Sequence, residues 1–185
     1  IASIGYQASI VITPQQEADI DIKATLNNLL IPYTSNYAGT LLPGIREYTV
    51  TPGEKTTTIS GKGKAGLKQE ENYYFFYLPV CYKGITGKSY AYYNTSRSKN
   101  LYLPASVDEN YSYDIQLPEN LTLCTPIQEK KIDNPIGSFK ITLTSEGSSL
   151  HIELALQIKK QLITPAEYPA FRSLITEWTD RTRKP

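Results

Sequence analysis

A chain of 185 residues with 19 Lys plus Arg against 18 Asp plus Glu has the size of one ordinary domain and no charge excess. That balance argues against a nucleic-acid binder, which carries a basic stripe, and against a polybasic membrane patch. No stretch of about eighteen apolar residues occurs, so no helical membrane span is expected.

The chain opens Ile1-Ala2-Ser3 and contains no Met. Translation begins with Met, so a processed or excised piece is expected, with any signal segment upstream. The 15 Tyr far outnumber the 4 Phe and 1 Trp. Tyr suits a pleated surface that buries its ring and wets its hydroxyl. Amphipathic β-structure is the expected cause, and an aromatic binding platform is the alternative.

Period-two alternation, which buries one strand face, recurs along the chain. It begins with Tyr6, Ala8, Ile10 and Ile12. In the next run Ile20, Ile22, Ala24 and Leu26 alternate with Asp19, Asp21, Lys23 and Thr25. Turn-rich loops are expected around Thr34–Gly44 and Thr51–Lys55, with weaker strands near Arg46–Val50 and Thr56–Ser60. Gly61–Glu71 reads as a loop. Tyr73-Tyr74-Phe75-Phe76-Tyr77-Leu78 is apolar on both sides, the pattern of a central strand covered twice. Lys83–Lys88 reads as another loop.

Tyr111, Tyr113, Ile115 and Leu117 alternate with Ser112, Asp114 and Gln116, and a weaker strand is expected over Leu121–Cys124. Phe139, Ile141 and Leu143 form one arm of a hairpin, and Leu150, Ile152, Leu154, Leu156 and Ile158 form the other. The turn between them is Ser145-Glu146-Gly147-Ser148. Leu-Pro at 42–43, 78–79, 103–104 and 117–118 marks strand ends, edges or bulges. Thr164-Pro165-Ala166-Glu167 fits a capping box, followed by Tyr168, Phe171, Leu174, Ile175 and Trp178 at helical spacing. Pro169 would remove an early helical hydrogen bond, so the regular helix is free to begin there. The predicted fold is an all-β antiparallel sandwich with one C-terminal α-helix. It is read as one domain, with a joining β segment over 1–65, the main β region over 66–163 and the helix over 164–183; a split near Gly61–Gly66 is the alternative.

The motifs that carry chemistry elsewhere fail in context. Gly61-Lys62-Gly63-Lys64-Ala65-Gly66 matches a dinucleotide fingerprint in letters, but no helical pattern follows to hold a pyrophosphate. Gly84-Ile85-Thr86-Gly87-Lys88-Ser89 resembles the end of a phosphate-binding loop, but Tyr82 stands where its first Gly is needed. His151 is the only histidine and occupies a polar strand face, open to a general-base role. A Cys–His pair would need Cys81 or Cys124 within hydrogen-bond reach. Both cysteines read as packed strand residues, although a disulfide between them is conceivable. One His and two Cys make a zinc site improbable on composition. Asp19 with Asp21, Glu70-Glu71 and the loop-like pair Asp108-Glu109 read as surface carboxylates. No catalytic, cofactor-binding or metal-binding residue is assigned, and no cofactor is expected.

The ordered stretches Tyr77-Leu78-Pro79, Arg97-Ser98-Lys99-Asn100-Leu101-Tyr102-Leu103-Pro104, Tyr113-Asp114-Ile115-Gln116-Leu117-Pro118-Glu119-Asn120, the hairpin from Phe139 to Ile158, and Ile163-Thr164-Pro165-Ala166-Glu167-Tyr168-Pro169-Ala170-Phe171-Arg172 carry a resemblance. It is to the C-terminal β-rich domain of bacterial transglutaminase-like envelope proteins of the Bacteroides type, which also have an N-terminal domain of unknown function. The resemblance implies a papain-type transglutaminase-like core upstream in the same polypeptide and a periplasmic or envelope setting. That core uses Cys, His and Asp; nothing here aligns to it, so no catalytic residue is carried over. The expected function is a noncatalytic accessory module that braces or positions the core. A carbohydrate-binding module with glycan as partner is the alternative. The candidate docking or ligand surface is Tyr73, Phe75, Tyr77, Tyr90, Tyr92, Tyr93, Arg97 and Tyr102.

Overall fold

The structure, a computed structural model, describes residues 2–27, 42, 44–81, 84–85, 96–124 and 128–183. In chain order its strands are β1 (Ala2–Ile12), β2 (Glu17–Asn27), β3 (Ile45–Pro52), β4 (Thr56–Gly66), β5 (Lys68–Glu70) and β6 (Tyr73–Phe75). There follow β7 (Leu101–Tyr102), β8 (Val107–Gln116), β9 (Gln128–Asn134), β10 (Gly137–Glu146), β11 (Ser149–Ile158) and β12 (Leu162–Ile163). Helix α1 spans Tyr168–Arg183. The all-β class with one C-terminal helix is what the periodicity predicts.

Eight strands form one sheet in the order β3-β4-β2-β1-β8-β11-β10-β9. The pairs β5–β6 and β7–β12 make separate two-stranded ladders. Within the large sheet every neighbouring pair is antiparallel except β1 and β8, which run parallel from Ala2↔Val107 to Val11↔Gln116. That parallel seam joins the first four strands to the last four. Among the described residues the inner face is covered by α1 and by irregular chain carrying Leu42, Cys81 and Ile85, rather than by a second large sheet.

Alternation decides which face is inner. Ile4, Tyr6, Ala8, Ile10 and Ile12 of β1 are buried, as are Ile20, Ile22, Ala24 and Leu26 of β2. Phe139, Ile141 and Leu143 of β10 and the five apolar residues of β11 complete the same layer. Each large side chain removed from water there contributes about 1.5–3 kcal/mol. The β10–β11 hairpin closes through Gly147, whose φ of 59° is the left-handed backbone that a two-residue hairpin loop demands.

Helix α1 docks by Phe171, Leu174, Ile175 and Trp178, all buried. The Trp178 ring lies edge-on to Phe139 at 6.4 Å and tilted over Tyr111 at 5.7 Å. One arm of the expected capping box forms, from the Glu167 carboxylate back to Thr164. Thr164 donates its backbone N–H to Glu167 Oε2 at 3.1 Å and its hydroxyl to the same oxygen at 3.0 Å, and Glu167 N–H reaches the Thr164 carbonyl. Regular helix begins at Tyr168, so Pro169 falls in the first turn, where its missing N–H costs little.

Three expectations are overturned. Gly61–Glu71 is not a loop: β4 runs through to Gly66 and β5 follows. Gly61 and Gly63 are required by close approach to the chain at β3, which carries an irregularity between Ile45 and Glu47. A Cβ on Gly61 would sit 2.5 Å from Ile45 Cγ2, and one on Gly63 would collide with the Gly44 carbonyl. Tyr73–Leu78 is not a central strand; only Tyr73–Phe75 pairs, with the short β5. Leu121–Cys124 forms no strand, and its cysteine is exposed.

Candidate functional site

The polar centre of the inner face is Glu109. On β8 the inward set is Val107, Glu109, Tyr111, Tyr113 and Ile115, so the carboxylate points into the core and is 2% exposed. Burying an ionised carboxylate is costly without donors. Ile85 donates its backbone N–H to Oε1, and the Tyr111 hydroxyl donates to Oε2 at 3.3 Å. Gly84 leaves the room for this: a Cβ there would lie 2.5 Å from the carboxylate oxygen. The arrangement clamps the chain at 84–85 against the sheet.

Tyrosines surround the clamp. Tyr6 lies 5.3 Å from Tyr111 and 5.9 Å from Tyr113, ring centroid to centroid. Tyr113 donates its hydroxyl to the Pro79 carbonyl at 2.8 Å, tying down the segment after β6. Burial raises the pKa of Tyr111 and Tyr113, helped by Glu109 at Tyr111 and by Tyr6 at Tyr113. Tyr6 is raised by burial and by neighbouring Cys81. All three stay protonated: Tyr111 and Tyr113 act as donors, and Tyr6, whose buried hydroxyl has no hydrogen-bond partner among the described residues, acts as a packing ring. Sequence reading set Glu109 beside Asp108 as a loop-like surface pair. The signal missed was that the Tyr111 alternation extends two residues earlier.

On the opposite face His151 Nδ1 lies 2.7 Å from Asp114 Oδ1, its cross-strand partner, and Nε2 lies 3.4 Å from Glu153 Oε1. Glu153 in turn meets Lys140 at 3.6 Å. The Asp114 hydrogen bond raises the histidine pKa. Cys81 is buried on the inner side while His151 stands on the outer face. The geometry therefore does not bring thiol and imidazole together. Cys81 and Cys124 are not bonded to each other. Asp19 and Asp21 pair with Lys64 at 2.9 Å and Lys62 at 3.6 Å. Among the described residues no three His, Cys, Asp or Glu side chains cluster to hold a metal ion.

Of the expected docking surface, Tyr73 and Tyr77 are half exposed and Phe75 is partly buried. The Lys68 ammonium sits 5.1 Å from the centre of the Tyr77 ring. These three aromatics line a cleft of about 750 Å³ that opens over Ile141, Leu143 and Ile152 of the inner face. Tyr102 is 72% exposed on the β7–β12 ladder, beside Leu162 across the pair. The Arg97 guanidinium lies 5.6 Å from the Tyr168 ring centre, at the start of α1. Tyr90, Tyr92 and Tyr93 lie outside the described residues. No helix among the described residues is long and apolar enough to cross a membrane.

A β-rich module with a helix-covered inner face and a clamped tyrosine core is the class these features define. Residues 72–185, more than half of the chain, match the family described as a Domain of Unknown Function with solved-structure structure (DUF3858), and the chain belongs to that family. A crystal structure described as that of "a putative protease from Parabacteroides distasonis" ATCC 8503 is 33% identical, with a TM-score of 0.51. The match covers 58% of this chain and 22% of that one, so the chain is like only about a fifth of that protein. No curated protein matches.

Proposed function

We propose that this chain is a noncatalytic accessory module of a larger cell-envelope protein, and that it braces or positions a transglutaminase-like core upstream in the same polypeptide. The observation that carries the reading is the disproportion in the Parabacteroides match: the shared region is over half of this chain and only 22% of that protein. A module that recurs as a minor part of a larger chain is suited to support a neighbouring domain. The separation of Cys81 from His151 across the sheet adds to it, since a thiol and imidazole so placed cannot form a nucleophile–base pair.

The docking surface is the aromatic segment at Tyr73 and Tyr77. Exposed Tyr rings bury large area at small entropic cost and are enriched where proteins meet. The test is calorimetric titration of this chain into the separately produced upstream region of its parent. Saturable association weakened by Tyr73→Ala with Tyr77→Ala is expected. Absence of heat and of co-elution would remove the bracing role.

A further inference from the structure

The outer face of the large sheet holds a trough of about 600 Å³ across β2, β1, β8, β11 and β10. Side-chain size shapes it. Gly5 and Ala155 stand on either side of Asn110 in one cross-strand row and keep the floor low. Lys23 on β2 and Lys140 on β10 rise at the two sides. In the adjoining row Lys23, Gln7, Ser112 and Glu153 follow one another across the strands. The side chains lining the outer floor are thus amides, the Ser112 and Thr25 hydroxyls and charged ends, with Ala155 and Thr25 each contributing one methyl.

The charge pattern distinguishes Lys23 from its neighbours. Lys62 is held by Asp21 at 3.6 Å, Lys64 by Asp19 at 2.9 Å and Lys140 by Glu153 at 3.6 Å. Lys23 has no carboxylate within ion-pair distance among the described residues. Its cross-strand neighbours are the neutral Gln7 and Ser60, and Thr25 follows it on the same side. Asp21, two residues earlier on that side, is already engaged by Lys62. An unpaired ammonium beside neutral donors and acceptors fits an anionic oxygen on a ligand that is otherwise rich in hydroxyls.

We infer that this trough binds an acidic saccharide, its carboxylate on Lys23 and its hydroxyls on Gln7, Ser112 and Asn110. The site is separate from the tyrosine surface and does not rest on the bracing role. Its test is an NMR titration of the whole ¹⁵N-labelled chain with oligogalacturonate, a neutral cello-oligosaccharide of equal length, and acetate. Oligogalacturonate is expected to shift backbone amides around Gln7, Lys23 and Ser112. Lys23→Gln is expected to weaken that binding about tenfold, the size of one charge-assisted hydrogen bond, while Lys64→Gln, which frees only the more distant Asp19, leaves it unchanged. Equal shifts from acetate or from the neutral sugar overturn the inference. So does the absence of shifts at millimolar oligogalacturonate, or binding that Lys23→Gln leaves intact.

Discussion

Tyr6 and Tyr111 stand opposite each other in the parallel register of β1 and β8, their ring centroids 5.3 Å apart and both buried. The contact crosses the seam between the two halves of the sheet. Tyr111 also meets Trp178 of α1, so one ring connects the N-terminal strands to the C-terminal helix. Tyr6→Ala should leave a cavity at that junction and destabilise the fold by about 3–5 kcal/mol, as large-to-small core changes do. Tyr102→Ala, at 72% exposure, should change stability by less than about 0.5 kcal/mol. Urea unfolding followed by tryptophan fluorescence reads both.

The Glu109 clamp makes a second demand. Glu109→Ala should strand the Ile85 N–H and the Tyr111 hydroxyl in the core, a loss of about 1–3 kcal/mol. Gly84→Ala should destabilise through a different cause, since its Cβ would lie 2.5 Å from the carboxylate. Combining them should cost less than the sum, because removing the carboxylate relieves the collision. A double-mutant cycle by urea unfolding checks this.

The helix cap predicts behaviour in acid. Glu167 is pulled down from 4.5 to about 2, first by the Lys160 hydrogen bond and then by the Thr164 backbone N–H. Because the folded pKa is the lower one, its contribution is present above 4.5 and is lost as pH falls through about 2. Glu167→Gln should flatten the dependence of melting temperature on pH across that window, and scanning calorimetry of both proteins reads it.

His151 has the opposite sign. Its pKa is raised above 6.5 by Asp114, so its contribution is full below 6.5 and fades as pH rises through the folded value. Asp114→Asn should bring the imidazole titration, followed by NMR, back toward 6.5. The exposed position limits any effect on melting temperature to a small one.

Much of this fold is legible in the residue pattern. Alternation places β1, β2, β8, β10 and β11, and the capping residues with the Trp178 stripe place α1, because one-sided burial imposes a period that sequence displays directly. Pairing order is not legible: a period of two says which side chains face inward and not which strand lies alongside, so the parallel β1–β8 seam has no local signature. The Gly-Lys alternation at 61–66 reads as loop because the need for glycine at 61 and 63 comes from the cross-strand contact with Gly44 to Tyr48 of the preceding hairpin arm, which the residue types alone do not display. Glu109 is hidden because its backbone donor, the Ile85 N–H, comes from a segment 24 residues earlier, although Tyr111, its other donor, lies on the same strand.

The bracing role is tested most directly by hydrogen exchange on the parent protein, comparing the joined upstream region and module with this chain alone. The docking surface predicts that backbone amides of Tyr73–Leu78 exchange more slowly in the joined protein, while those of the β10–β11 hairpin exchange alike in both. Identical exchange over Tyr73–Leu78 in the two samples would contradict it.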